Sequence, residues 1–365
     1  MSSTMRWLKH GVLLLALTMV ACGQGGPRST QAPTTSTVAV TPSVQPTVAP
    51  SLQPTAVPPT PAPTSQGEPL HWELTAQMAV ANPRELIWAF DGQVLGITSE
   101  TGLHVARVSN LAQTRIITIT APSVLLDFSV DGHTMALTSN SDELTLEDVN
   151  TGQVLHALQP PQRMMNASFS PDGRTLAVPM EDLAVSLWDV ASGQLLKTLG
   201  GFETAAPVYS VLFASDGQHL IWISRGKVQV MDIATGKLGA EFRHEDFVVS
   251  VALSPNGQTL ATASAGMVNG EYVPFVKLWD AASGQEAGAL IHTQSVSSIA
   301  FSPEGHTLAV ASGRELIVWN LTSQKELARW EGHADSIGAV AFSPDGSTLA
   351  SASADGTVKL WRAAP

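Results

Sequence analysis

Along most of the chain, short apolar runs alternate with polar turns at a spacing too tight for helices. The pattern is clearest near the end, where Ala339-Val340-Ala341-Phe342 runs into Ser343-Pro344-Asp345-Gly346 and a second apolar run, Thr348-Leu349-Ala350, follows. Pro sets φ and Gly accepts positive φ, so the middle tetrapeptide predicts a tight turn between two strands. An acidic residue or Asn followed by Gly recurs at Gly92, Gly132, Gly173, Gly217, Gly257, Gly305 and Gly346, at intervals of 40, 41, 44, 40, 48 and 41 residues. Three residues before each Asp, Asn or Glu stands a large apolar residue: Trp88, Phe128, Phe169, Phe213, Leu253, Phe301 and Phe342. Each unit continues with an alternating third strand, such as Val185-Ser186-Leu187-Trp188-Asp189, then a Ser-Gly or Thr-Gly turn. A fourth, more polar strand follows, as at Gln194-Leu195-Leu196-Lys197. Four short antiparallel strands in about 42 residues, repeated seven times, predict the blades of an all-β, seven-bladed propeller.

Residues 70 to 365 resemble the WD-repeat family. The signature dipeptide stands at Trp188-Asp189 and Trp279-Asp280, with degraded forms at Glu147-Asp148, Met231-Asp232, Trp319-Asn320 and Trp361-Arg362. The last unit has the fullest pattern, with Gly332-His333 placed 12 residues before Asp345 and Ser351, Asp355 and Trp361 after it. The resemblance implies that His333, Ser351, Asp355 and Trp361 form a structural tetrad, a hydrogen-bonded chain tying the strands of that blade together. His244 and His292 match His333 in spacing, although no Gly precedes them. Closure is also implied. The seventh unit ends without a fourth strand, and an orphan strand, Leu70-His71-Trp72-Glu73-Leu74, precedes the first. Pairing the two would close the last blade and remove the open edges.

The start of the chain reads differently. Arg6 and Lys9 precede an apolar run from Gly11 to Ala21, too short to span a membrane and patterned as a secretory leader. Met19-Val20-Ala21-Cys22 resembles the lipobox of bacterial lipoproteins, with Met19 where the family usually carries Leu. That resemblance implies cleavage before Cys22, the chain's single cysteine, and acylation there, palmitate included. Gly23 follows, so no Asp of the kind that retains lipoproteins at an inner membrane is present. From Pro27 to Gly67 come ten of the 23 prolines and nine threonines, and no acidic residue occurs before Glu68. Such a segment cannot bury enough surface to fold and is expected to be a disordered, extended linker. The expected organisation is therefore a leader over 1–21, a lipidated Cys22 with a Pro/Thr-rich linker over 22–67, and a propeller over 68–365.

Composition narrows the chemistry. All 31 acidic residues and 16 of the 19 basic ones fall at or after residue 68, which leaves that part at −15 and argues against nucleic acid as a partner. The ten histidines show no metal-ligand spacing, and the sequence holds no nucleophile elbow, phosphate loop or dinucleotide fingerprint. Neither metal nor other cofactor is expected, and no catalytic residue is assigned. Departures from the repeat carry the functional reading, because the repeat itself accounts for the scaffold. The interval of 48 places a long loop, Ala265 to Pro274, between the second and third strands of the fifth unit. In WD-repeat proteins that loop shares a rim with the connections between blades, the usual partner-binding face. Arg163, Met164, Phe202, Met267 and Tyr272 are the candidate contact residues there, being of types enriched in interface cores. The expectation is an extracytoplasmic lipoprotein, monomeric, touching the membrane through its lipid only, and acting as a non-catalytic scaffold for a protein or peptide. The alternative is a lactonase-like propeller hydrolase with a polar site at the channel mouth.

Overall fold

The computed structural model describes residues 71–364, apart from 89–91, 100–101, 118–123, 130, 139–142, 160–165, 181–183, 201–209, 215, 225–226, 245–247 and 269–270. The leader, Cys22 and the Pro/Thr-rich segment lie outside the described residues. What is described consists of strands and turns. β1 (Trp72–Ala79) comes first. Blade one is β2 (Leu86–Trp88), β3 (Val94–Ser99), β4 (Gly102–Arg107) and β5 (Asn110–Ile117). Blade two is β6 (Val124–Phe128), β7 (Thr134–Thr138), β8 (Leu144–Asp148) and β9 (Val154–Leu158). Blade three is β10 (Ser168–Phe169), β11 (Thr175–Met180), β12 (Ala184–Asp189) and β13 (Leu195–Leu199). Blade four is β14 (Ser210–Phe213), β15 (His219–Ser224), β16 (Lys227–Asp232) and β17 (Leu238–Arg243). Blade five is β18 (Ser250–Leu253), β19 (Thr259–Val268), β20 (Glu271–Asp280) and β21 (Glu286–Ile291). Blade six is β22 (Val296–Phe301), β23 (Thr307–Ser312), β24 (Glu315–Asn320) and β25 (Lys325–Glu331). Blade seven combines β26 (Ile337–Phe342), β27 (Thr348–Ser353) and β28 (Thr357–Ala363) with β1, in the order β1-β28-β27-β26. The chain is thus a seven-bladed all-β propeller whose first strand closes the last blade.

The turns explain the repeat. In the Ser-Pro-Asp-Gly turn of blade seven, the Gly346 N–H reaches back to the Ser343 carbonyl at 2.8 Å, and Gly346 has φ of +70°. The Ser343 hydroxyl bonds the Asp345 carboxylate and accepts the Thr348 N–H, so both ends of the turn are fixed. The same hydrogen bonds recur around Ser129, Ser170 and Ser254. The interval of about 42 residues is therefore the length of one blade from turn to turn.

The core is a ring of seven apolar clusters, and each spans the seam between two neighbouring blades. Phe169 from blade three, for example, packs with Leu144 and Leu146 from blade two. This placement explains the large apolar residue ahead of every turn: it fills a seam and not a single central core. Strand direction alternates within each blade, so the propeller has two unlike ends. The Asp-Gly turns, the Ser-Gly or Thr-Gly turns and the beginnings of the outer strands lie at one end, called here the turn end. The hairpins between second and third strands and the connections between blades lie at the other, the hairpin end. β1 runs antiparallel to β28 with Trp72 opposite Ala363, so the chain enters the propeller at the turn end.

One expectation is corrected. Ala265 to Pro274 is not a loop but a continuation of the ladder, with Ala265 opposite Pro274 and Val268 opposite Glu271. β19 and β20 are ten residues each, whereas β23 and β24 are six. Four extra residue pairs carry the fifth hairpin about 13 Å beyond its neighbours. Pro274 is tolerated because its carbonyl accepts the His292 N–H, which puts the missing donor on the β21 side rather than in the β19 ladder.

Candidate functional site

In blade seven the four expected residues are joined in one donor chain. The Trp361 Nε1–H donates to Ser351 Oγ at 2.8 Å. Ser351 bonds His333 Nε2 at 2.7 Å, and His333 Nδ1 bonds Asp355 Oδ2 at 2.9 Å. Asp355 also accepts the Ala334 N–H at 3.0 Å and the Thr357 hydroxyl at 2.6 Å. Its partial burial opposes ionisation, but the bonds from Thr357, Ala334 and His333 hold its carboxyl down to about 2. Burial lowers the His333 imidazole, with Asp355 opposing that shift. Every polar atom of this buried set has a partner, so it holds strands together and offers no open position for a ligand.

His244 and His292 occupy the corresponding places but not the same chemistry. Each ring stands edge-on to the tryptophan of its blade, His244 on Trp279 and His292 on Trp319, as His333 does on Trp361. Among the described residues, neither ring nitrogen of either histidine has a hydrogen-bond partner. The position of Ser351 is taken by Thr262 in blade five and Val310 in blade six, and that of Asp355 by Gly266 and Arg314. Trp279 still donates to Thr262 at 2.8 Å, while Trp319 Nε1 has no partner. Burial pushes both imidazoles down to about 4, so they are neutral at physiological pH.

Of the candidate contact residues, Arg163, Met164 and Phe202 lie outside the described residues. Met267 is in β19 with its backbone opposite Tyr272. Tyr272 stands near the tip of the extended hairpin, 60% exposed. Ile291 and Val249 are also exposed on the hairpin half of the same blade. Phe275 lies against Gly266, where an added Cβ would come within 3.2 Å of its ring, so the glycine leaves the aromatic ring its room. The result is a projecting β-ribbon with an aromatic residue near its end.

A further polar feature escaped the repeat-based reading. Side chains on or just ahead of the innermost strands accept backbone N–H groups from the next blade. Asn166 accepts Val211 at 3.4 Å, Ser168 accepts Phe213 at 3.2 Å, Ser250 accepts Ile299 at 3.2 Å and Ser298 accepts Val340 at 3.2 Å. These bonds cover the inner strand edges that face the central channel. At one seam the acceptor is a carboxylate: Asp127 takes the Phe169 N–H at 2.7 Å with one oxygen and its neighbour's Phe128 N–H at 2.7 Å with the other. Burial, with Glu85 as a nearby like charge, pushes the Asp127 carboxyl up to about 7. Desolvation raises the Glu85 carboxyl, while the Arg84 charge pulls it down. The signal in the sequence is an acid in the apolar run Leu125-Leu126-Asp127-Phe128, at a place where the other blades carry Ile87, Ser168, Leu212, Ala252, Ala300 and Ala341.

Among the described residues, no three His, Cys, Asp or Glu side chains converge in a way that could hold a metal ion. No curated protein matches the chain. Three of its stretches, residues 236–269, 288–320 and 324–362, match the family model of the WD domain, G-beta repeat, each running through or from the outer strand of one blade into the next, so these stretches are WD40 repeats.

Proposed function

We propose that the whole chain is a WD-repeat protein of the cell envelope, anchored through a lipid on Cys22 and serving as a non-catalytic platform for a protein or peptide. A WD40 propeller suggests an interaction scaffold, and the observation that carries the specific reading is the extended β19–β20 hairpin. It breaks the repeat, projects from the end opposite the chain's entry, and presents Tyr272 to solvent. An exposed aromatic residue on a rigid ribbon is the kind of anchor that interfaces use. Arg163, Met164, Phe202 and Met267 belong to the same proposed surface by their place in the repeat.

The test is a cross-linked pull-down from intact cells with the linker kept. Alanine at Met164, Phe202 and Tyr272 together should weaken the captured partner at least tenfold without changing the unfolding midpoint. Unchanged affinity would reject this surface.

The hydrolase alternative draws on one observation, the Asp127 carboxylate on the inner strand of blade two and the Glu85 carboxylate just ahead of the inner strand of blade one. Both Asp127 oxygens are already engaged by backbone N–H groups. That favours a structural joint over an acid–base pair.

A further inference from the structure

At the turn end of the propeller, the outer strands of three successive blades begin with aliphatic residues exposed to water. Val154 and Leu155 open β9, Leu195 and Leu196 open β13, and Leu238 opens β17, each between 39% and 58% exposed. Register makes the comparison strict. Val154, Leu195 and Leu238 stand opposite Glu147, Trp188 and Met231; the same ladder position holds Glu286 and Glu326 in blades five and six, and in blade seven the exposed Leu74 of the closing strand. A fourth strand read from sequence as the polar one is, in blades two to four, polar only in part. Together these side chains leave on the order of a few hundred Å² of aliphatic surface in water, spread over three neighbouring outer strands.

We propose that this end of the propeller rests on a lipid surface, with the aliphatic starts of β9, β13 and β17 entering the headgroup boundary. The proposal rests on the lipid-anchor reading and adds a second, non-covalent membrane contact to it. The chain enters the propeller at Trp72, on this same end, and Cys22 lies fifty residues earlier. A lipid at Cys22 would hold the domain at high effective concentration over the bilayer, so a modest aliphatic patch suffices to orient it. A second copy of the chain fits less well. A stable dimer needs about 800 Å² per partner. The turn end also carries Asp148, Asp189 and Asp232 beside the patch, kept ionised by hydrogen bonds from Thr151, Ser192 and Thr235. These charges oppose a like surface and favour zwitterionic over anionic lipid. Docked this way, the propeller turns the β19–β20 hairpin away from the membrane.

The experiment uses the full lipidated chain reconstituted into phosphatidylcholine vesicles, with flotation and amide hydrogen exchange read together. Exchange in Leu195–Leu199 is compared with that in Glu286–Ile291 of the same molecule, for the native chain and for Leu195→Glu/Leu196→Glu. The expected result is that both proteins float, and that β13 exchanges severalfold more slowly relative to β21 in the native chain only. Flotation of both with equal exchange ratios overturns the docking proposal and leaves the anchor standing. Failure of the native chain to float overturns both. Slowed β13 exchange that persists without vesicles and tracks protein concentration overturns it in favour of a second copy.

Discussion

Asp127 on the inner strand of blade two accepts the backbone N–H of Phe169 on the inner strand of blade three at 2.7 Å, while its other oxygen takes the N–H of Phe128. The serines that do this work at other seams are neutral. Here the joint carries a titratable group whose pKa burial lifts from 3.8 to about 7. Between those values the folded chain keeps a proton that the unfolded chain has lost, so raising the pH removes stability through this window. Asp127→Asn has no such proton. The stability of the native chain minus that of Asp127→Asn should therefore fall steadily from pH 4 to 7 and level off above. Denaturant midpoints across that range measure it, and a difference independent of pH contradicts the assignment.

The buried histidines act in the opposite sense. In the unfolded chain His244 and His292 gain protons below pH 6.5, and in the fold only near 4. Stability is therefore lost as pH falls through that interval, by two groups against the single carboxylate of Asp127. The chain should weaken on acidification from 6.5 towards 4. Leu at both positions should flatten the profile; an unaltered slope would sink the explanation.

His333 and His292 differ in what their removal leaves behind. His333→Phe strands Ser351 and Asp355 without their buried partner, a cost of about 1–3 kcal/mol. His292→Phe removes two nitrogens that have no partner and should be near neutral at pH 7. Equal losses in the two variants would show that the tetrad bonds contribute nothing specific.

Ring closure depends on one buried side chain. β1 is largely exposed except at Trp72, which stacks on Trp330 at 5.8 Å and packs with Phe342 and Trp361. Trp72→Ala should cost about 3–5 kcal/mol and speed hydrogen exchange in β28 before any other strand. Deleting residues 68–77 should open the ring altogether. An unchanged thermal midpoint without aggregation in the deletion refutes closure by this strand.

Lipidation is checked by mass. The mature chain should begin at Cys22 and carry acyl chains, and Cys22→Ala should lose both the added mass and partition into detergent. A native chain without acyl mass excludes the anchor.

Much of this fold is legible in the sequence alone. Gly132 and its six counterparts announced the blades because a positive φ at each turn demands a residue without Cβ. The closing strand could be read from a missing fourth strand at one end and a spare at the other. The interval of 48 points to a loop at this hairpin because an insertion lengthens the interval equally whether it loops or pairs. Only the ladder shows that the proline's missing N–H faces away from its partner strand. The outer leucines escaped because alternation says which face a residue takes, but not whether any neighbour covers it. Asp127 escaped because it occurs once, and a repeat reveals only what recurs. His244 and His292 matched in spacing, yet Val310, Gly266 and Arg314 deny them the partners that His333 has.

The central claim, that this propeller presents its hairpin end to a protein partner, is tested most directly by site-specific photo-crosslinking in intact cells. A photoreactive residue at position 272 should give a discrete protein adduct, and one at position 196, at the turn end, should not give the same adduct. No protein adduct from 272, or the same adduct from both ends, would contradict it.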